Sequence, residues 1–249
     1  MSWFSSVFST SAPVFEDSIK VEFHNHILPG LDDGSRDVFE SLELLKNMQE
    51  LRKEKVVMTP HIISDMYKNS PETILPKLEL LKIEAQKANI NLELHAAAEY
   101  YVDETFLDLS KSDNPILSFG TKKKYVLIET AFMNKSPFLK EVIFNLQSRG
   151  YVPILAHPER YVYLYDDFEK YEDIFDSNIK FQINILSLAG YYSPEAKKIA
   201  EKLIDAKMVH FLGSDCHNMK QMMVLKEAVK LKYYNKALKL NLLNNSIFD

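Results

Sequence analysis

Histidines and carboxylates recur in this chain at spacings suited to gripping divalent cations. The runs are His24-Asn25-His26, Asp32-Asp33-Gly34, Thr59-Pro60-His61, Glu99, Glu129, His157 and Asp215-Cys216-His217. Side chains on a strand alternate with period two, so His24 and His26 share a face, as do Asp215 and His217. Asn25 and Cys216 then point the other way. The candidate set is His24, His26, Asp33, His61, Glu99, Glu129, His157, Asp215 and His217. That is too many ligands for one tetrahedral ion, and it suits two or three ions with bridging carboxylates. Imidazole and carboxylate without thiolate point to Mn²⁺, Fe²⁺, Zn²⁺ or Mg²⁺ rather than a structural cysteine-zinc site. A lone strand histidine is more often a core or surface residue than a ligand; the recurrence at strand ends is what argues for a site. His95 and His210 serve as contrasts, both placed by position and parity among structural residues. Glu22 shares the parity of His24 one step lower, either as a partner to a ligand or as a polar layer of the interior.

Those residues need elements that bring them together. Apolar strand-like runs at Lys20–His26, Lys55–His61, Leu92–Tyr101, Tyr125–Thr130, Tyr151–His157, Phe181–Leu186 and Val209–His217 alternate with amphipathic stretches. The spacing predicts helices over 37–53, 70–89, 138–149, 168–175, 194–207 and 219–232, and a tail from Lys236 that begins helical and turns irregular. Ser70 ahead of Pro71, Pro194 in a first turn and Gly150 after a last turn are helix boundary signals. About seven βα units imply crossovers and a parallel sheet. No glycine-rich phosphate loop follows the first strand, which counts against a Rossmann fold or a P-loop. A parallel barrel puts every strand C-terminus on one face, the face that holds the active site in barrel enzymes. The candidate ligands all fall there.

The 249 residues suit one domain, expected over 20–249 behind an extension at 1–19. Hydrophobic residues make up 46% and charged residues 26%, as in an ordinary soluble protein. A net charge of −5 without a lysine or arginine block argues against nucleic acid. The single cysteine, Cys216, permits no internal disulfide and fits a reducing compartment. Trp3, Phe4, Val7 and Phe8 among serines lack the basic start and unbroken apolar run of a signal peptide, and no segment has the length to span a membrane. A cytoplasmic protein is expected. Cysteine-based phosphatase chemistry would want an arginine six positions after the thiol, where Met222 stands. Only four arginines occur, Arg36, Arg52, Arg149 and Arg160. Tyr100, Tyr101, Phe132 and Tyr161 flank the strand ends, with packing as their default role.

The motifs in order resemble the PHP (polymerase and histidinol phosphatase) superfamily, and within it the bacterial protein-tyrosine phosphatases of capsule and exopolysaccharide loci. The resemblance rests on 24–34 (HNHILPGLDDG), 58–61 (MTPH), 125–129 (YVLIE), 154–160 (ILAHPER) and 213–218 (GSDCHN), and runs from about residue 20 to the C-terminus. It implies an α/β fold, a distorted (β/α)₇ barrel, and three divalent ions, commonly manganese. By motif, His24, His26, Glu99 and Asp215 would hold one ion. Glu99, Glu129 and His157 would hold the second, and Asp33, His61 and His217 the third. Arg160 would bind the phosphoryl group, with Arg36 a weaker rim candidate. The chain departs from the common pattern at Asn25, Ile62, Ala97-Ala98 and Tyr101, the last at a position often held by an arginine that contacts substrate.

The expected activity is hydrolysis of phosphotyrosine by a hydroxide bridging two ions, with Arg160 on the phosphoryl oxygens. A phenolate leaves readily; if a general acid is used, His61 or His217 is nearest. The resemblance implies the tyrosine-rich tail of a polysaccharide-export kinase as substrate. The rival readings are a small-molecule phosphatase acting on a histidinol-phosphate-like monoester, a phosphodiesterase or exonuclease, and an inactive phosphotyrosine-binding adaptor.

Overall fold

The structure is a computed structural model that describes residues 19–249; of the expected extension, 1–18 lie outside the described residues. The strands are β1 (Val21–Glu22), β2 (Lys55–Met58), β3 (His61–Ile62), β4 (Glu93–Ala96), β5 (Glu99–Tyr101), β6 (Lys124–Glu129), β7 (Tyr151–Ala156), β8 (Lys180–Asn184) and β9 (Phe211–Gly213). The helices are α1 (Val38–Glu50), α2 (Pro71–Lys87), α3 (Glu104–Lys111), α4 (Leu139–Ser148), α5 (Glu169–Phe175), α6 (Ile185–Leu188), α7 (Pro194–Asp205), α8 (Met219–Ala228) and α9 (Lys232–Ala237). Every strand pairing is parallel.

Two sheets form, in the orders β1-β2-β4 and β3-β5-β6-β7-β8-β9. They are two levels of one wall, because β3 continues β2 and β5 continues β4 after short breaks at Thr59-Pro60 and Ala97-Ala98. Hydrogen bonds bridge the breaks, from Ala97 N to Met58 O (2.8 Å) and from Glu99 N to Pro60 O (3.1 Å). The last stave returns to the first through a parallel bridge between Asn25 and Cys216, with Asp215 N on His24 O (2.7 Å) and His26 N on Cys216 O (3.0 Å). The staves β1, β2/β3, β4/β5, β6, β7, β8 and β9 thus make a distorted seven-stave barrel. Its seam is one bridge rather than a full ladder.

At the opposite end the C-terminal segment fills the seam. The Asn244 carboxamide accepts from Leu212 N (3.1 Å) and donates to Leu212 O (2.8 Å) and Val21 O (3.3 Å), so one side chain replaces the missing rungs between β1 and β9. Val21, Phe23, Val57, Ala97, Phe119, Tyr125, Leu127, Ile154, Ala156, Phe211 and Ile247 form the inner core above it. Phe23 stacks on Phe119 and meets Phe211 edge-on, at centroid distances of 5.2 and 5.0 Å. A second, larger core lies between the wall and the helices, and Cys216 is buried in it.

Several elements differ from the sequence expectation. Strand pairing over 20–26 stops at Glu22 and resumes only as the Asn25 bridge. The strand expected over 181–186 ends at Asn184 and turns into α6, because the buried Glu159 carboxylate accepts from Asn184 N (2.9 Å) and Ser187 Oγ (2.6 Å) and holds the turn. Helix α3 was not expected. It is short, and its start depends on Asp103, whose carboxylate caps Phe106 N at 2.8 Å. The helix expected over 219–232 ends early, as α8 at Ala228, and α9 begins at Lys232, ahead of the helical tail expected from Lys236. Helices α1 and α7 begin at the side-chain caps Asp37 and Ser193.

Candidate metal centre at the barrel mouth

The inner core and the site share one interior, stacked along the barrel axis. Ala97 and Leu127 belong to the core, and Glu99 and Glu129 follow them two residues on, pointing inward one level higher. Asp215 follows Phe211 and Gly213 in the same way. His24 and His157 do not obey this alternation, since their neighbours Phe23 and Ala156 are already inward. The lost pairing after Glu22 turns His24 inward; His157 enters with a left-handed backbone, φ +35°. Asp215 is also left-handed, φ +50°. Non-glycine residues in this region are uncommon and collect where function over-determines the backbone.

Glu99 is the centre of the cluster. Its Oε2 lies 3.3 Å from His24 Nε2, 3.4 Å from His26 Nε2 and 3.1 Å from His61 Nδ1, while Oε1 lies 3.2 Å from His157 Nε2. Asp215 Oδ1 lies 3.5 Å from His24 Nε2 and 3.4 Å from His26 Nε2. Glu129 approaches His61 Nδ1 at 2.9 Å and His157 Nε2 at 3.7 Å. Asp33 Oδ1 stands 3.7 Å from His61 Nε2 and 3.5 Å from His217 Nε2. All nine candidate ligands therefore converge. Their ligand atoms fall into four compact groups: His24 with His26 and Asp215; His24 with Glu99 and His157; His61 with Glu99 and Glu129; and His26 with Asp33, His61 and His217. The grouping differs from the motif-based one in placing His26 beside Asp33 and in aiming opposite faces of His61 at two groups.

The donor set fits divalent cations. His24 Nε2, His26 Nε2, His61 Nδ1 and Glu99 Oε2 are buried, face one another and lack any partner in hydrogen-bonding geometry. Unmade hydrogen bonds of this kind are costly and rare, and a cation among them would engage all four atoms. The electrostatics agree. Burial works against ionising Glu99, but His24 and His61 hold its carboxyl well below the usual range. Burial likewise opposes the charge on His24, yet Glu99 and Asp215 outweigh it and raise its pKa to about 9. His157 goes the other way: burial, then the Arg160 guanidinium, keep it below its ordinary value and neutral.

Supporting residues fix the ligand rings. Asp32 Oδ2 takes the Nδ1 proton of His26 at 2.7 Å and the backbone N–H of His61 at 3.0 Å. Gln182 Oε1 meets His24 Nδ1 at 2.7 Å. Both contacts leave the Nε2 atoms aimed into the cluster, the usual arrangement for ligating histidines. Glu22 accepts from the backbone N–H groups of His24 (3.0 Å) and Ser214 (3.2 Å), tying two ligand-bearing staves together below the site. Two glycines permit the close approaches. A Cβ on Gly34 would overlap the His26 carbonyl, and one on Gly213 would lie 2.8 Å from Gln182 Nε2 and 2.9 Å from His24 Cβ.

The cluster opens into a cavity of about 410 Å³ lined by Asp33, His61, Glu129, His157, Asp215 and His217 below, and by Ile63, Met66, Tyr67, Tyr101, Phe132 and Arg160 toward the rim. Arg160 donates to Asp215 Oδ2 at 2.8 Å. Tyr101 lies on the wall. Arg36 does not line the cavity: it is exposed and bonded to Glu40 one helical turn on, which satisfies its guanidinium away from the site. Tyr100 and Tyr161 are packing residues whose hydroxyls bond Leu117 N and Ala156 O. His95 pairs with Glu93, and His210 bonds Phe181 N and stacks on Phe175, both away from the site. Sequence reading missed Asp32, Gln182, Asn184 and Tyr192. Asp32 was adjacent to a chosen ligand and carried a signal; Gln182 and Asn184 stand on a stave without a ligand, and Tyr192 in the loop between α6 and α7.

A parallel barrel with histidines and carboxylates massed at its C-terminal mouth defines a barrel protein whose donor set fits divalent cations. The chain belongs to the CpsB/CapC family of capsular polysaccharide synthesis, whose profile matches residues 20–245. It is 30% identical to CapC of Staphylococcus aureus over 231 residues, covering 91% of this chain and 90% of CapC. It is 30% identical over 201 residues to the tyrosine-protein phosphatase YwqE of Bacillus subtilis, covering 80% of this chain and 78% of YwqE. A crystal structure from the pair YwqE and CpsB of Streptococcus pneumoniae, reported as metal-dependent tyrosine phosphatases, superposes with a TM-score of 0.73 at 28% identity, over 89% of this chain and 95% of the other. An amidohydrolase of Mycoplasma synoviae, at 11% identity and TM-score 0.57, shares the fold. Among the described residues no helix is long and apolar enough to cross a membrane.

Proposed function

We propose that this protein is a metal-dependent protein-tyrosine phosphatase. The observation that carries the reading is the convergence of nine histidine and carboxylate side chains around Glu99 beneath a cavity that Arg160 lines, in a chain of the CpsB/CapC family. The single domain over 20–249 would hold three divalent ions, manganese first, in a cytoplasmic protein. The tyrosine-rich tail of a polysaccharide-export kinase is its proposed substrate.

Divalent ions, when bound, supply Lewis acidity toward phosphoryl oxygens and acidify water enough to make it a nucleophile near neutral pH. The chain's residues do the rest. His24, His26, Asp33, His61, Glu99, Glu129, His157, Asp215 and His217 would hold the ions, with Glu99 shared between groups. Arg160 offers a planar fork to the phosphoryl oxygens and stabilises charge as it redistributes. Ile63, Met66, Tyr67 and Phe132 give the rim an apolar wall that suits an aryl group and keeps water from the phosphoryl end. His61 and His217 reach the cavity, but as holders of an ion their ring nitrogens are engaged, and a phenolate leaves readily without a general acid. Tyr101 gives the wall a hydroxyl, a neutral contact for the substrate.

The test is hydrolysis of a phosphotyrosine peptide, a phosphoserine peptide and histidinol phosphate, each with Mn²⁺ and after chelation. Preferred hydrolysis of the phosphotyrosine peptide, abolished by chelation and restored by Mn²⁺, is expected. Preference for histidinol phosphate, or activity that survives chelation, would overturn the reading.

A further inference from the structure

The β8 stave contributes none of the nine candidate ligands, yet its end and the loop after it converge on one of them. Asp215 Oδ2 accepts from Asn184 Nδ2 at 2.6 Å, from Arg160 Nη1 at 2.8 Å and from the Tyr192 hydroxyl at 3.1 Å. Asn184 Nδ2 also reaches the Tyr192 oxygen at 3.2 Å, so the two donors brace each other. An ionised carboxylate has only acceptor sites, so all three groups donate to it. With Oδ2 engaged in this way, Oδ1 is the oxygen left facing His24 and His26. The same tyrosine touches the arginine. The Arg160 guanidinium carbon lies 4.0 Å from the Tyr192 ring centroid and 4.3 Å from that of Phe132.

We propose that Tyr192 is a positioning residue with two separable tasks: its hydroxyl holds Asp215 as a ligand through one oxygen, and its ring, with that of Phe132, guides Arg160 between Asp215 and the phosphoryl group. Arg160 in this structure spends a donor on Asp215. To bind a phosphoryl oxygen with that donor it must let go, and the carboxylate would lose a third of its support. Asn184 and Tyr192 remain on Oδ2 when Arg160 leaves, so the ligand keeps its orientation during the exchange. The two aromatic faces stabilise the cation in both positions without claiming any of its N–H donors.

The inference rests on the phosphatase reading, and its two tasks are tested apart. Tyr192→Phe keeps the ring and removes the hydroxyl. It should weaken Mn²⁺ binding to the metal-free protein roughly 10-fold or more, the usual effect of losing an outer partner of a ligand, and leave KM for the phosphotyrosine peptide unchanged at saturating Mn²⁺. Phe132→Leu should leave Mn²⁺ affinity unchanged and raise both KM and the inhibition constant of inorganic phosphate by roughly 5-fold, the loss of one cation–π contact. Tyr192→Leu should show both effects. Should that variant fail to fold, Phe132→Leu, on the cavity wall, carries the KM and phosphate readout and Tyr192→Phe the Mn²⁺ readout. Wild-type Mn²⁺ affinity in Tyr192→Phe overturns the first task. Unchanged KM and phosphate inhibition in Phe132→Leu overturns the second. A wild-type protein inactive on phosphotyrosine refutes the functional reading instead, and the Mn²⁺ titration still judges the role of the hydroxyl.

Discussion

Arg160 and His24 show how much chemistry single residues carry here. The planar fork of Arg160 is flanked by aromatic rings and lies within reach of the cavity. Arg160→Ala is expected to lower kcat/KM by about 10²–10³, the scale of losing one preorganised donor to developing charge. Arg160→Lys should recover little of it, because a point charge cannot make the bidentate contact; steady-state kinetics on a phosphotyrosine peptide would measure both. His24 makes a pH prediction. Burial disfavours its cation, but Glu99 and Asp215 prevail and raise its pKa from 6.5 to about 9 in the metal-free protein. A folded pKa above the unfolded one adds stability in full below 6.5, and that stability is lost as pH rises through about 9. Metal binding needs the neutral ring, so protons compete with the ion. Between these values the melting temperature of metal-free protein should fall with pH while Mn²⁺ affinity rises. A Mn²⁺ affinity independent of pH over that window would remove His24 from the ligand set.

At the scale of elements, the ligands depend on how the staves are interrupted. The barrel wall breaks at Phe23, at Thr59-Pro60 and at Ala97-Ala98, and above each break a ligand residue stands: His24, His61 and Glu99. Gly213 shows the tolerance involved, since the β9 backbone passes close to both His24 and Gln182. Gly213→Ala should destabilise the fold by ~1–3 kcal/mol, as overpacking does. It should also displace the Gln182 contact that orients His24, so Mn²⁺ affinity should fall as well. Thermal melting and metal titration on this variant test the two effects; a variant with wild-type values of both would show that the seam can relax. Position at strand ends supplied Glu99 and Glu129; period-two reading paired His24 with His26 and Asp215 with His217, and both pairs do face the cluster. It had no means to find the irregularity after Glu22 or the left-handed turn at His157, because both are set by contacts from other staves. The early end of β8 escaped for the same reason, the buried Glu159, whereas helix α3 escaped because it is only 8 residues long, its Asp103 cap being local.

For the whole molecule, the outstanding feature is the seam between first and last staves, closed at the mouth by the Asn25–Cys216 bridge and at the base by Asn244. Asn244→Ala would leave Val21 O short of its donor and Leu212 without both of its partners. The cost should be ~2 kcal/mol, lowering the melting temperature by about 4–8 °C for a chain of this size. A melting temperature unchanged from wild type would show that the seam does not depend on this segment. The loss should be larger in metal-free protein than in metal-loaded protein, because ions at the mouth join staves from both sides of the same seam.

The chemistry of the site was legible in the sequence because it depends on residue types and on local spacing. Nine ligand candidates and the parallel βα order follow from strand ends and their periodicity; Arg160 came with the motif resemblance, which agrees with the family that the chain matches. The tertiary structure alone decided how the ligands divide into groups, that Arg36 turns away to Glu40, and that Asp32, Gln182, Asn184 and Tyr192 hold the ligands in place. The physical reason is distance along the chain. A ligand declares itself by being a polar residue where a strand should be apolar. A residue that orients it is an ordinary Gln, Asn or Tyr, and it acquires meaning only when folding brings it, from as far as 158 positions away in the case of Gln182 and His24, to within a hydrogen bond.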